Sequence, residues 1–287
     1  MLLWSGDVLD PEWDRVYARL AELGYDGVEI PVFALDPQRY AALGERLRDL
    51  GLAPLTVTVR GPQANPISPE AAVRERGLRE NLAALECAAA LGAEVFCGPF
   101  VSSPSVFTGA PATAQERAWA VELLTTMGDA ATQCGITLAM ESLNRFQHYL
   151  STTAAQTADL CRAADRPRCR MLYDTYHAHL EEKDVASAIA GCADMLAYVH
   201  VSENDRATPG QGQVAWDATF RALRAIGYDG WFTIEAFGHG DPVLAGNLKV
   251  WRRAYTTEDD LARDGIAFIR EAWARSASSP AAGGAAS

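Results

Sequence analysis

The chain has 287 residues, 49% hydrophobic and 22% charged, the composition of a folded protein of one large domain or two small ones. Its 25 Lys and Arg stand against 37 Asp and Glu, a net charge of −12, which argues against a nucleic-acid binder, since that needs a basic face to displace counterions from phosphates. No run of 18 apolar residues occurs and MLLWSGDVLD lacks the basic start and long apolar core of a signal peptide, so neither a membrane span nor secretion is expected and a cytoplasmic protein is.

Apolar runs rich in β-formers alternate with amphipathic stretches along the chain. A short opening run, Leu2 to Trp4, precedes a helical pattern near 11–23. GVEIPVF (27–33) is followed by a helix near 37–50, and LTVTV (55–59) by a helix over 69–91. Ser68 is placed to cap that helix, Pro69 suits its first turn and Gly92 its end. EVFCGPF (94–100), TLAMESL (137–143), RMLYDTYH (170–177), LAYVHVSEN (196–204) and WFTIEAF (231–237) follow, with helical patterns near 113–134, 153–164, 184–193, 217–226 and 258–274. Gly24, Gly51, Gly92, Gly135 and Gly227 stand after helices, where a left-handed residue is easiest to accommodate. Runs that are nearly continuous in Val, Ile, Leu and Phe fit parallel strands buried on both faces.

Eight strand–helix units predict an α/β fold, a single-domain (β/α)8 TIM barrel over 1–275. An open doubly wound sheet competes poorly, because no glycine-rich phosphate turn follows the first strand. The first run is short, so either the barrel opens weakly there or the true start lies upstream. TPGQG (208–212) reads as a flexible loop over the barrel mouth, and residues 276–287, small and uncharged, as a disordered tail. The six cysteines show no CxxC spacing and read as buried free thiols in a reducing compartment.

In a barrel the catalytic groups stand at the C-terminal ends of the strands. Reading only those ends gives Glu141, then Asp174 and His177, then His200, Glu203 and Arg206, and finally Glu235. Steps of 33, 26 and 35 residues separate Glu141, Asp174, His200 and Glu235, about one strand–helix unit each, so four potential ligands come from adjacent strands. Any one carboxylate could cap a helix or pair with an arginine. Three crowded together repel unless a cation joins them, and three oxygen ligands with one imidazole suit Mn²⁺, Mg²⁺ or Co²⁺ better than a closed thiolate zinc site.

The segments ESLNRF (141–146), DTYHAHLEEKD (174–184), HVSENDR (200–206), YDGWFTIEAF (228–237) and KVWR (249–252), with ANPISPEAAVR (64–74) and ATPGQGQVAWD (207–217), resemble the ketose 3-epimerases, a family of xylose-isomerase-like barrels that includes the D-tagatose, D-allulose and L-ribulose 3-epimerases. The likeness runs from about residue 25 to 270. It implies that Glu141, Asp174, His200 and Glu235 bind the metal, with Mn²⁺ first, and that Glu141 and Glu235 double as the acid/base pair. It implies that His177 and Arg206 contact the C1–C3 oxygens of a monosaccharide and that Phe237 forms an apolar wall. Trp13 is a looser match to another wall residue. A homodimer or homotetramer is implied as well.

The expected reaction is inversion of C3 of a free ketose through a cis-enediolate, one carboxylate removing the proton and the other returning it on the opposite face. Aldose–ketose isomerisation, or chemistry on 3-keto sugars or glycosides, would use the same scaffold. A silent sugar-binding protein would not need both glutamates, and five histidines are too few for the multinuclear zinc site of the DNA-repair branch. Gln147 stands where the family generally carries Glu, so an amide replaces a carboxylate that would receive sugar hydroxyls. His179 stands where the family usually has Asn, as a solvated residue or at the site entrance. His148 and His239 are expected at the surface or hydrogen-bonded, and Glu181, Glu182 and Asp184 as a solvated helix start. Trp216, Trp231 and Trp251 are expected in the core or an interface, and the absence of a Lys or Arg cluster in the loops favours a substrate without phosphate.

Overall fold

The computed structural model describes residues 1–277. Seven strands lie parallel in chain order: β1 (Gly27–Pro31), β2 (Ala53–Val57), β3 (Val95–Gly98), β4 (Thr137–Glu141), β5 (Cys169–Asp174), β6 (Leu196–Val201) and β7 (Trp231–Ile234). They curl into a nearly closed barrel with helices outside: α1 (Asp14–Glu22), α2 (Pro37–Asp49), α3 (Ala71–Leu91), α4 (Ala114–Cys134), α5 (Ala154–Ala164), α6 (Thr175–Glu181), α7 (Val185–Gly191), α8 (Trp216–Ala225), α9 (Pro242–Asn247) and α10 (Glu258–Ser276).

The two faces of each strand divide the core. Val28, Ile30, Phe96, Leu138, Met140, Met171, Tyr173, Val199 and Val201 pack outward under the helices. Leu55, Val57, Val95, Cys97, Ala139, Leu172 and Tyr198 fill the interior. This alternation follows from the period of two along a strand, and it sends Glu141, Asp174 and His200, two residues beyond Ala139, Leu172 and Tyr198, to the same interior side one layer higher.

The expected eighth strand does not form. Leu2–Trp4 makes a turn in which Trp4 N and Ser5 N both donate to Met1 O, at 2.9 and 3.3 Å. A segment closed in a turn on the Met1 carbonyl has no edge to offer a ladder. The segment still occupies the gap between β1 and β7: the Met1 amino group donates to Glu29 O at 2.7 Å, Leu2 joins the interior cluster, and Leu3 packs on Ala236 and Leu261. A cavity of about 360 Å³ remains there, lined by Leu2, Val28, Glu29, Trp231 and Glu235 among others.

The helix after β2 starts at Ala71 with Glu70 as its flanking residue, two residues later than Ser68 and Pro69 predicted, because the Ser68 hydroxyl accepts from Glu70 N in a tight turn of its own. Thr113 and Glu116 form a reciprocal cap at the start of α4. Gly92 and Gly135 end α3 and α4 in the left-handed region, as expected. The helix α10 reaches Ser276, one residue into the segment predicted to be a disordered tail, and residues 278–287 lie outside the described residues. No described helix is long and apolar enough to cross a membrane. Five cysteines are buried and Cys134 is exposed, all as free thiols.

Candidate active site

Glu141 and Asp174 are the last residues of β4 and β5, His200 is the penultimate residue of β6, and Glu235 directly follows β7. Asp174 and His200 are register partners, and His200 pairs with Thr233 two residues before Glu235. The barrel stagger therefore brings the four side chains to one place: one ligand atom from each lies within 4.8 Å of the others, and all four residues are buried. His200 Nδ1 stands 3.5 Å from Glu235 Oε1, 3.7 Å from Asp174 Oδ2 and 3.9 Å from Glu141 Oε1. It has no hydrogen-bond partner among the described residues. A buried nitrogen without a partner, aimed at three carboxylates, is what a cation in their midst would satisfy, so this donor set fits a divalent metal.

The electrostatics reflect the crowding. Burial, then the neighbouring Glu235 charge, pushes the Glu141 carboxyl well above its usual range. Burial also raises Glu235, with Arg206 pulling the other way. Burial works against ionised Asp174, yet the Arg206 guanidinium and the imidazoles hold it well below the usual range. Burial disfavours the His200 imidazolium, but Glu29 and Glu235 outweigh it and raise the group well above an ordinary histidine.

Arg206 closes the other side. It sits in the left-handed region at φ 60°, its amide donates to Glu203 O, and its guanidinium bonds Asp174 Oδ2 at 2.9 Å, Ser202 Oγ at 2.8 Å and Glu235 Oε2. Tyr176 and Phe237 flank it, their ring centres 3.8 and 5.0 Å away. Phe237 is buried and also belongs to the interior cluster. His177 lies in the first turn of α6, not on the strand. Its Nδ1 accepts from Asn144 N at 2.9 Å, and its Nε2 stands 2.8 Å from Arg206 Nη2 and 3.7 Å from Glu141 Oε1. Burial brings this imidazole down to about 3, keeping it neutral. Gln147 reaches the same group indirectly: its side-chain oxygen accepts from Asn144 Nδ2 at 3.3 Å.

Of the two places expected for His148, the hydrogen-bonded one holds: it is buried, bonded to Ser102 Oγ and facing Ser151 O at 3.3 Å. Other expectations need correction. Glu181 is not solvated: its side chain is 3% exposed and receives Arg145 N at 2.7 Å. Glu182 receives Ala154 N, and only Asp184 caps its helix as a local acid should. TPGQG is no free loop, since Glu203 anchors it through Gly210 N, Gln213 N, Val214 N and Trp216 Nε1 at 2.9–3.1 Å. Arg206 therefore does not pair with the Glu203 carboxylate. His179 is exposed on α6, Trp13 is half-buried against the helix-side core, and Trp251 is exposed while Trp216 is buried. Three residues that touch the site, Glu29, Asn144 and Ser202, escaped the reading of strand ends. Glu29 alone carried a signal, as the one charge inside an apolar run.

A family described as xylose isomerase-like TIM barrel matches residues 17–272. A ketose 3-epimerase from Arthrobacter globiformis is 32% identical over 277 residues, covering 94% of each chain. An L-ribulose 3-epimerase from Methylomonas is 30% identical over 94% of this chain and 95% of its own. The chain belongs to the ketose 3-epimerase family. Its structure agrees: a D-allulose 3-epimerase from Methylomonas, solved in complex with D-allulose, superposes with a TM-score of 0.87 at 30% identity over 94% of both chains. The epimerase is thus an isomerase acting on carbohydrate, built on a (β/α) barrel, and its buried acid–histidine cluster is one that could hold a metal.

Proposed function

We propose that this epimerase inverts C3 of a free ketose, with Glu141, Asp174, His200 and Glu235 holding a divalent ion, Mn²⁺ by preference and Mg²⁺ or Co²⁺ as substitutes. The observation that carries the reading is the unpartnered Nδ1 of His200 facing three carboxylates at the ends of successive strands. A bound divalent ion would draw charge from the ketone oxygen and the adjacent hydroxyl and so make the C3 proton more acidic.

The protein's own groups then divide the work. One of Glu141 and Glu235 takes the C3 proton and the other delivers a proton to the opposite face of the planar intermediate, so the substrate neither gains nor loses atoms. Two carboxyls raised by burial suit this exchange, since burial favours the protonated form through which each must pass. His177 Nε2 and the Arg206 guanidinium converge on one spot, where they would meet the oxygens of the sugar. Phe237 and Tyr176 fix the guanidinium plane and limit water on that side. Gln147, tied to Asn144, offers an amide that both donates and accepts, and it is the residue here through which sugar choice would depart from relatives.

The test is proton exchange. Metal-loaded protein in D₂O is incubated with D-fructose, D-tagatose, D-allulose, ribulose and xylulose and followed by NMR. Deuterium at C3 together with the 3-epimer is expected. Label at C1 or C2 with an aldose product would make the enzyme an aldose–ketose isomerase, and silence across the panel with metal bound would move the substrate to 3-keto sugars or glycosides.

A further inference from the structure

Glu29 is the only charged residue of β1, and it is 5% exposed. Its neighbours Val28 and Ile30 face the helices, so Glu29 points into the barrel, among Leu55, Val57, Ala139 and Leu172 of the interior layer. A lone carboxylate is strongly disfavoured in such surroundings and persists only when donors surround it. Three donors converge on one oxygen: Glu29 Oε2 receives Tyr198 OH at 2.7 Å, His200 Nε2 at 2.8 Å and Cys97 Sγ at 3.2 Å. The Tyr198 hydroxyl is itself held by Thr233 Oγ1 at 2.7 Å.

We infer that Glu29 is the positioning residue that sets the tautomer and ring orientation of His200, turning the bare Nδ1 toward Glu141, Asp174 and Glu235. The inference rests on the reading of that cluster as a metal centre. Ionised, a carboxylate only accepts, so the 2.8 Å contact requires the ring hydrogen on Nε2. With Nε2 committed to Glu29, Nδ1 is the nitrogen from which a divalent ion would displace any proton, taking the lone pair that a metal needs. Remove Glu29 and the ring is free to place its hydrogen on Nδ1, where the three carboxylates would receive it and block the ligand. Glu29, Cys97 and His200 also lie close enough to form a second metal cluster, but there the donors already satisfy the carboxylate, whereas the Nδ1 side is left open.

Titration of the wild type, Glu29→Gln and Glu29→Ala with Mn²⁺ by calorimetry tests the inference. Glu29→Ala is expected to bind about 10- to 100-fold more weakly, a typical loss when a partner behind a metal-bound histidine is removed. Glu29→Gln, whose amide oxygen can still accept from Nε2, should lie between Glu29→Ala and the wild type. No binding by the wild type would overturn the metal reading itself, whereas equal binding by Glu29→Ala and wild type would overturn the positioning role alone. Should the variants not fold, ¹⁵N NMR of His200 in the Mg²⁺-loaded wild type decides. Hydrogen on Nε2 with Nδ1 ligated supports the inference, while hydrogen on Nδ1, or Nε2 as the ligand, overturns it.

Discussion

Asp174 uses its two oxygens differently. Oδ1 accepts from Tyr176 N at 2.6 Å and His177 N at 3.2 Å, capping α6, while Oδ2 faces Arg206 and His200. One residue thus ends a strand, starts a helix and contributes to the site, which is why its position could be read from the run RMLYD. Glu141 carries no such structural duty: its carboxylate has only the 3.7 and 3.9 Å approaches of His177 and His200. Glu235 is braced through its backbone oxygen, which receives Ser202 Oγ at 2.7 Å, so its side chain too can change without loss of that bond. Glu141→Gln and Glu235→Gln should therefore keep the melting temperature within a few degrees and lower turnover by at least about 10³-fold, the upper range for loss of a proton-transfer group. Thermal melts and the D₂O exchange rate measure the two effects separately. Full turnover in either variant would remove that glutamate from the acid/base pair. The four candidate ligands were legible because strand ends are marked by where apolar runs turn polar. Asn144 and Ser202 were not, since a neutral polar residue in a loop looks alike whether it braces an imidazole or faces water.

The elements around the mouth depend on acids that look solvated in sequence but accept hydrogen bonds from the backbone. Glu181 and Glu182, in an EEKD run that resembles an ordinary charged helix start, tie α6 to the loop after β4 and to the first residue of α5. The seven-residue α6 and six-residue α9 escaped prediction because two turns are too short to display an apolar periodicity. Glu203 is the clearest case. Its carboxylate accepts five hydrogen bonds, from Asn204 N, Gly210 N, Gln213 N, Val214 N and Trp216 Nε1, and this shapes the segment between β6 and α8. These bonds hold the Glu203 carboxyl below its usual range although burial opposes them. Gly212 is needed because a side chain there would run into that carboxylate. Arg206 sits on the same loop, three residues on. Glu203→Ala would leave several donors without a partner, so a loss of about 3 kcal/mol in urea unfolding is expected. Faster proteolysis within 204–215 and a raised KM from displaced Arg206 should accompany it. Unchanged stability and proteolysis would mean that the glycines and Pro209 suffice to set the loop.

At the scale of the whole barrel, the sheet is continuous from β1 to β7 but no ladder joins β7 back to β1 among the described residues. The alternation of runs made the architecture legible. The closure was not, because whether a three-residue run pairs is decided by its turn with Met1, a contact that composition does not encode. A ring left open at one point relies on other links to hold its halves in register. The candidate ligands come from β4, β5, β6 and the end of β7, so a bound ion would cross-link these four consecutive strands across their carboxylate ends, while β1 to β3 contribute no ligand. It would also neutralise the repulsion of three carboxylates at once. Any ligand that binds only the folded state stabilises it by mass action, about 2.7 kcal/mol at a hundredfold excess over Kd, which for a chain of this size is about 5 °C or more in Tm. Mn²⁺ should therefore raise the melting temperature, EDTA should reverse the rise, and Asp174→Asn should abolish it while its side-chain oxygen still caps α6. Hydrogen exchange then separates the cross-link from general stabilisation. Metal should slow the amides of β4 to β7 and α6 more than those of β1 to β3. Equal slowing of all seven strands would mean that the ion stabilises the barrel as one cooperative unit, and that the opening between β1 and β7 does not divide it.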